Sequence, residues 1–321
     1  DVKNPLDAKT ARGILDWRPE HCVGQLRLPE CEVDLGLPDL TPAAAHALGA
    51  RSLVVGVAPL GGQLAPAWLA SMQDALLAGL SIVSGLHQRL VDIPALVSKA
   101  KDHDGALIDV RVPPEAIAIA TGAPRTGKRL LTVGTDGCVG KKYTALALAR
   151  ALTERGINAT FRATGQTGIM ISGHGIPMDA VISDFLSGAA EQLTPDAAPD
   201  HWDVIEGQGS LYHPAYAAVT LGLLHGSQPD ALILCHDASR MRIDEYEAFP
   251  IPELEACIRR YEEAARLTNP AAQVVGISLM TGAVSDAEAL AICQAFGHST
   301  GLVCFDPLRN ALTPLISSLV S

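Results

Sequence analysis

The chain has 321 residues, 48% of them apolar, 18% charged and only 4% aromatic. That length suggests about two domains, and small and branched side chains in these proportions suit packed α/β layers. A net charge of −11 with no basic stretch argues against a nucleic-acid partner, and no run approaches the ~18 uninterrupted apolar residues of a membrane span.

In chain order, residues 52–57 (SLVVGV) read as a strand, followed by the turn Pro59-Leu-Gly-Gly62. Residues 65–78 have helix-like composition, 80–83 form a short apolar run ending at SGLH, 93–101 look helical, and 105–110 (GALIDV) form another strand. This alternation predicts a small Rossmann-like α/β domain over residues 1–120, without a GxGxxG motif. Val112-Pro113-Pro114 and the stretch 121–129 mark the boundary. A parallel-sheet domain of the P-loop NTPase type follows over 121–321. Its strands are expected at 130–133, 157–163, 203–206, 231–235, 274–279 and 302–305. Helices are expected at 142–150, 177–188 (with Asp179 near its start), 211–224 (despite Pro214), 252–267, 286–296 and 307–320.

The sharpest motif is Gly134-Thr135-Asp136-Gly137-Cys138-Val139-Gly140-Lys141-Lys142-Tyr143. An apolar strand, a Gly-rich turn, a Lys and then a helix is the layout of a phosphate-binding loop. Glycines turn successive backbone N–H groups toward an anion, the helix start adds partial positive charge, and Lys141 adds a full one. Five residues separate Gly134 from Gly140, where the standard loop has four, a spacing shared with the dethiobiotin synthetase group. Lys142 stands where Ser or Thr normally holds Mg²⁺, which points to a loop that binds phosphate without a metal. Thr144 lies too far along the helix to replace that ligand. The stretch 122–128 (GAPRTGK) matches the standard spacing by letters, but a strand follows it, so it reads as a linker.

In parallel sheets ligands sit at the carboxyl ends of strands. The expected exits there carry Gln166 and Thr167; then Glu206, Gln208, Ser210 and His213; then His236, Asp237 and Arg240. Glu206 and His213 are the candidate general bases, with Asp136 and Asp184 next in line. Arg162 and Arg240 are candidates to grip a substrate carboxylate, and Gln166, Thr167, Gln208 and Ser210 to bind a polar substrate. Cys138 reads either as a filler or as a thiol tuned by Lys141. No His/Cys cluster has metal-ligand spacing.

Several stretches taken together resemble one family: VKNPL (2–6), AKTARG (8–13), WRPE (17–20), SGLH (84–87), the loop 134–141, ATGQTG (163–168), EGQGSL (206–211) with His213-Pro214, and LHGSQP (224–229). This is the P-loop family long described as of unknown function, some members of which are D-glutamate N-acetyltransferases. The resemblance implies transfer of acetyl from acetyl-CoA to the amine of D-glutamate, in D-amino-acid catabolism. It also implies a phosphate loop that holds the cofactor. The alternative is an ATP- and Mg²⁺-dependent ligase or kinase like dethiobiotin synthetase, with Glu206 and Asp136 holding the metal. Seven cysteines without a CxxC pair fit a reducing, cytoplasmic setting. The chain opens at Asp1 without Met or a secretory leader, so residues upstream are expected to be missing. The expected partners are a small-molecule substrate and further copies of the chain, with neither nucleic acid nor membrane.

Overall fold

A computed structural model describes residues 2–103, 105–310 and 312–320. Asp1, where the chain opens, and Ala311, inside the expected closing helix, lie outside them. The chain divides into two compact units. One runs to Val112 and takes in Gln166–Gly173; the other comprises Pro113–Gly165 and the chain from His174 onward.

The first unit holds a parallel sheet of β1 (Ser52–Val54), β2 (Ser81–Ser84) and β3 (Leu107–Asp109), in that order. Its helices are α1 (Lys9–Trp17), α2 (Pro42–Ala47), α3 (Trp68–Leu77) and α4 (Pro94–Asp102). Thr41 caps α2 by accepting the Ala44 N–H, and Pro94 opens α4 where its missing N–H costs nothing. Met72, Leu76, Leu80, Ile82, Leu90 and Leu96 fill the core.

The second unit is built on six parallel strands. In chain order they are β4 (Lys128–Gly134), β5 (Ala159–Arg162), β6 (Trp202–Ile205), β7 (Ala231–Asp237), β10 (Gln273–Met280) and β11 (Val303–Phe305). They lie side by side as β11-β10-β7-β4-β6-β5. A separate antiparallel hairpin joins β8 (Arg242–Ile243) to β9 (Tyr246–Pro250). The helices are α5 (Lys141–Thr153), α6 (Gln166–Ser172), α7 (Leu186–Leu193), α8 (Ala217–Ser227), α9 (Leu254–Arg266), α10 (Asp286–Thr300) and α11 (Thr313–Val320); α6 packs with α1 and belongs to the first unit. Every residue of β4 after Lys128 is buried, as expected of a central parallel strand covered on both faces. From β4 the chain crosses to the β5 edge, returns to β6, then passes β4 to reach β7. The direction of winding therefore reverses beside β4, and ligands of such sheets bind at that point, outside the strand ends.

The sequence expectations hold for the α/β class and for each stretch read as a strand, with differences at the ends; β2 forms on the apolar run at 80–83. The helix expected over 177–188 is instead two single 3₁₀ turns, Met178–Ala180 and Ser183–Phe185, with α7 starting only at Leu186. Pro177 and Ile182 are both extended, at ψ 90° and 135°, which interrupts any continuous helix. The helix expected from residue 211 begins at Ala217, because the His213 ring accepts the Ala215 N–H and Pro214 supplies none. Neither α6 nor the β8–β9 hairpin was expected. No helix among the described residues is long and apolar enough to cross a membrane.

Candidate active site at the C-terminal edge of the large sheet

The Gly-rich loop leaves β4 at Gly134 and ends at Gly140, whose φ of 94° suits glycine and which stands as the N-cap of α5. Val139 packs into the interior, while Cys138 is exposed with φ 53°. Asp136 is fully buried and organises the loop. Its Oδ1 accepts the Gly137 N–H at 2.6 Å; its Oδ2 accepts Arg240 Nη1 at 2.7 Å and the Asp244 N–H at 2.8 Å. Thr135 is also buried and shares a 2.9 Å hydrogen bond with Nδ1 of His236. Lys141 is buried and donates to the Asp136 carbonyl at 2.7 Å; burial pushes its ammonium below the ordinary lysine value. The Lys142 ammonium lies 5.1 Å from the ring centre of Tyr143. Lys141 and Lys142 thus stand together at the start of α5, where a helix end favours negative charge.

The exit of β6 lies beside this loop. A Cβ on Gly207 would sit 1.7 Å from the Thr132 carbonyl oxygen, so only glycine lets the two strand exits approach this closely. Glu206 is 6% exposed. Its Oε2 accepts the N–H groups of Thr164 at 2.9 Å and Gly165 at 3.1 Å, and no described residue donates to Oε1. Burial raises its pKa above the ordinary glutamate value; those two amides and the charges of Lys142 and Lys141 oppose the rise. Gln208 braces the same turn, with Nε2 on the Thr164 carbonyl at 2.8 Å, and Ser210 is buried and accepts the Tyr212 N–H at 3.2 Å. His213 is buried, with Nδ1 accepting the Ala215 N–H at 3.1 Å. Its ring lies 4.4 Å from that of Tyr216 and 5.0 Å from that of Tyr246. Burial lowers its pKa.

Other candidates have different partners. Arg162 donates through Nε to the buried Asp203 at 2.7 Å, an ion pair along the sheet. Arg240 is likewise engaged, on Asp136 and on the Gly137 carbonyl at 2.9 Å. Gln166 and Thr167 start α6 and pack within the first unit. There Thr167 pairs with Thr10 at 3.1 Å, and Gln166 Oε1 is buried without a hydrogen-bond partner. Asp184 is exposed on its 3₁₀ turn. The 122–128 stretch is a linker into β4, held by Glu191 and Asp196. Thr144 is buried and spends its hydroxyl on the Gly140 carbonyl and on Ser278. No group of three His, Cys, Asp or Glu side chains among the described residues could hold a metal ion.

Three residues escaped the sequence reading. Tyr261 on α9 is buried; its hydroxyl donates to the Gly134 carbonyl at 2.6 Å and accepts the Leu211 N–H at 3.1 Å, tying the phosphate loop to the β6 exit. Burial pushes its phenol up to about 12. Asp244 and Tyr246, on the hairpin, close the other side. Tyr261 repeats as an apolar position of an amphipathic helix and carries no separate signal in the sequence.

A phosphate loop at the switch point of a parallel sheet, with a buried carboxylate beside it, defines a P-loop protein carrying a second α/β unit. Residues 118–316 match the family model described as a domain of unknown function (DUF1611_C), P-loop domain. Residues 27–113 match its partner (DUF1611_N), described as a Rossmann-like domain. The chain therefore belongs to the DUF1611 family, as the motifs implied. It is 48% identical to a Pseudoalteromonas sp. protein named D-glutamate N-acetyltransferase, covering 99% of this chain and 96% of that one. A protein of the same name from Tritonibacter scottomollicae is 46% identical, over 100% of this chain and 96% of its own. The crystal structure of a DUF1611 family protein from Anabaena variabilis superposes with a TM-score of 0.86 at 34% identity, covering 98% and 95% of the two chains.

Proposed function

We propose that this chain is an amino-acid N-acetyltransferase that moves an acetyl group from acetyl-CoA to the amine of D-glutamate. The relatives that carry this name match it from end to end at 46 and 48% identity. The observation that supports the chemistry is Glu206, a buried carboxylate with one oxygen pinned by two amides and the other without a donor among the described residues, beside a lysine-rich phosphate loop. A carboxylate whose pKa burial raises is a stronger proton acceptor once ionised, which suits it to take a proton from an amine. Coenzyme A carries a diphosphate and a 3′-phosphate, anions that Lys141, Lys142 and the start of α5 would attract, which supports it as the acetyl donor. The absence of a disulfide among the described cysteines supports a reducing, cytoplasmic setting for this step of D-amino-acid catabolism.

An ATP- and Mg²⁺-dependent ligase is not favoured. Both oxygens of Asp136 are taken by the loop and by Arg240, Thr144 is spent on Ser278, and Lys142 occupies the metal-ligand position. The testing experiment mixes the purified protein with D-glutamate and acetyl-CoA in EDTA and follows thiol release together with N-acetyl-D-glutamate. Formation of both in equal amounts is expected. Product only with ATP and Mg²⁺ would overturn the reading.

A further inference from the structure

We infer that His213 serves acetyl transfer as a neutral hydrogen-bond donor, presenting Nε2–H to the acyl oxygen, and that it is not the base; this rests on the transfer reading above. Its Nδ1 lone pair is committed to the Ala215 N–H at 3.1 Å. A neutral imidazole that accepts at Nδ1 carries its proton on Nε2. No described residue accepts a hydrogen bond from that Nε2. Two rings flank the imidazole: Tyr216 at 4.4 Å and 31°, and Tyr246 at 5.0 Å in a T-shaped contact.

Tyr246 and the chain before His213 both tie the imidazole to the phosphate loop. Tyr246 belongs to the hairpin whose Asp244 N–H bonds to Asp136, and the chain just before His213 hangs from Tyr261, which also holds the Gly134 carbonyl. The charged groups that face the ring are Asp136, Asp244 and Glu245, which favour its protonation, and Lys141, which opposes it. Burial outweighs the three acids and lowers the ring's pKa below the ordinary histidine value, which favours the neutral imidazole. A donor of this kind keeps its proton through the reaction.

The step balances as follows. The acceptor nitrogen forms a bond to the acetyl carbon, and the carbonyl π pair moves onto oxygen, where Nε2–H meets it. As that oxyanion collapses, the carbon–sulfur bond breaks and the thiolate leaves. Glu206 takes the proton from the nitrogen and passes it to the departing sulfur. His213 ends in the protonation state in which it began.

Two variants separate the possible roles. His213→Gln keeps an amide N–H near the place of Nε2 and cannot titrate. His213→Asn keeps an acceptor for the Ala215 N–H and loses the donor. The inference predicts kcat within about tenfold of wild type for Gln. It predicts a loss of roughly 10²–10³-fold for Asn at an unchanged melting temperature, as for removal of one oxyanion donor. A structural role gives the reverse: Asn active, and Gln impaired in proportion to its melting temperature. A base role makes both inactive and removes one limb of the pH–rate profile. Either result overturns the inference while leaving acetyl transfer intact. Long-range ¹H–¹⁵N spectra of the folded protein at pH 7.5 supply a readout independent of rate, and a proton found on Nδ1 also overturns it. A wild type that acetylates no amine overturns the transfer reading itself, and this inference with it.

Discussion

Both units place a carboxylate at a strand end, and the two behave differently. Asp109 ends β3 of the small sheet and spends both oxygens on the chain, accepting the Leu90 N–H at 2.7 Å and the Val91 N–H at 3.3 Å. Glu206 follows β6 of the large sheet, is more deeply buried, and gives only one oxygen to backbone amides. Position at a strand exit is therefore a poor guide to chemistry by itself. The two acids differ in whether an oxygen remains after the local backbone has been satisfied. The arginines make the same point: Arg162 and Arg240 both stand at strand exits, and both pair with buried aspartates.

The largest effect should come from the unspent carboxylate. Glu206→Gln should lower kcat by roughly 10²–10⁴-fold, the usual loss for a general base, with acetyl-CoA affinity close to wild type. It should not lower the melting temperature. A carboxyl whose folded pKa is raised contributes stability only below its unfolded value, and loses it as pH rises through the folded one. The neutral amide escapes that loss at pH 7. Parallel falls in activity and melting temperature would put Glu206 with Asp109 as a structural acid.

Arg162→Ala strands the buried Asp203, with His201 at 3.2 Å as its remaining partner. Chemical denaturation should show a loss at the lower end of the roughly 3–5 kcal/mol typical of a broken buried pair. The folded fraction should keep its kcat. A raised KM for the amino acid without destabilisation would return Arg162 to the substrate site.

Lys141→Ala removes a charge-assisted contact worth ~1.5–3 kcal/mol, so calorimetry should show acetyl-CoA binding weakened by roughly tenfold to a hundredfold. Unchanged affinity would remove the phosphate loop from the mechanism. The smallest effect belongs to Asp109→Asn, about 1 kcal/mol of stability from its backbone hydrogen bonds, with no change in kcat per folded molecule. A substantial loss of kcat there would erase the distinction between the two carboxylates.

The parallel strands were legible because buried strands are continuous apolar runs, and the loop 134–141 because glycines and Lys141 stand between a strand and a helix. The α10 start is equally local, since Ser285 and Glu288 cap it reciprocally. What stayed hidden depends on partners distant in sequence. Arg162 and Arg240 read as free guanidinium groups until the fold brings Asp203 and Asp136 to them from 41 and 104 residues away. The α6 helix was hidden by the glycines around Gln166, and the β8–β9 hairpin by an exposed strand, Tyr246–Pro250, with no buried face to give it a pattern. Glu206 was visible as a residue at a strand exit. Its free oxygen was not, because that depends on the path of the Thr164-Gly165 backbone.

The most direct test is the pH–rate profile for N-acetyl-D-glutamate formation from acetyl-CoA by the wild type and by Glu206→Gln. Glu206 can accept a proton only when ionised, and burial raises its pKa above 4.5. The wild-type kcat should therefore fall as pH drops through that raised value. The variant should show a residual rate roughly 10²–10⁴-fold lower, without that acid limb. The same limb persisting in Glu206→Gln, or a wild type that forms no N-acetyl-D-glutamate at any pH, would contradict the account.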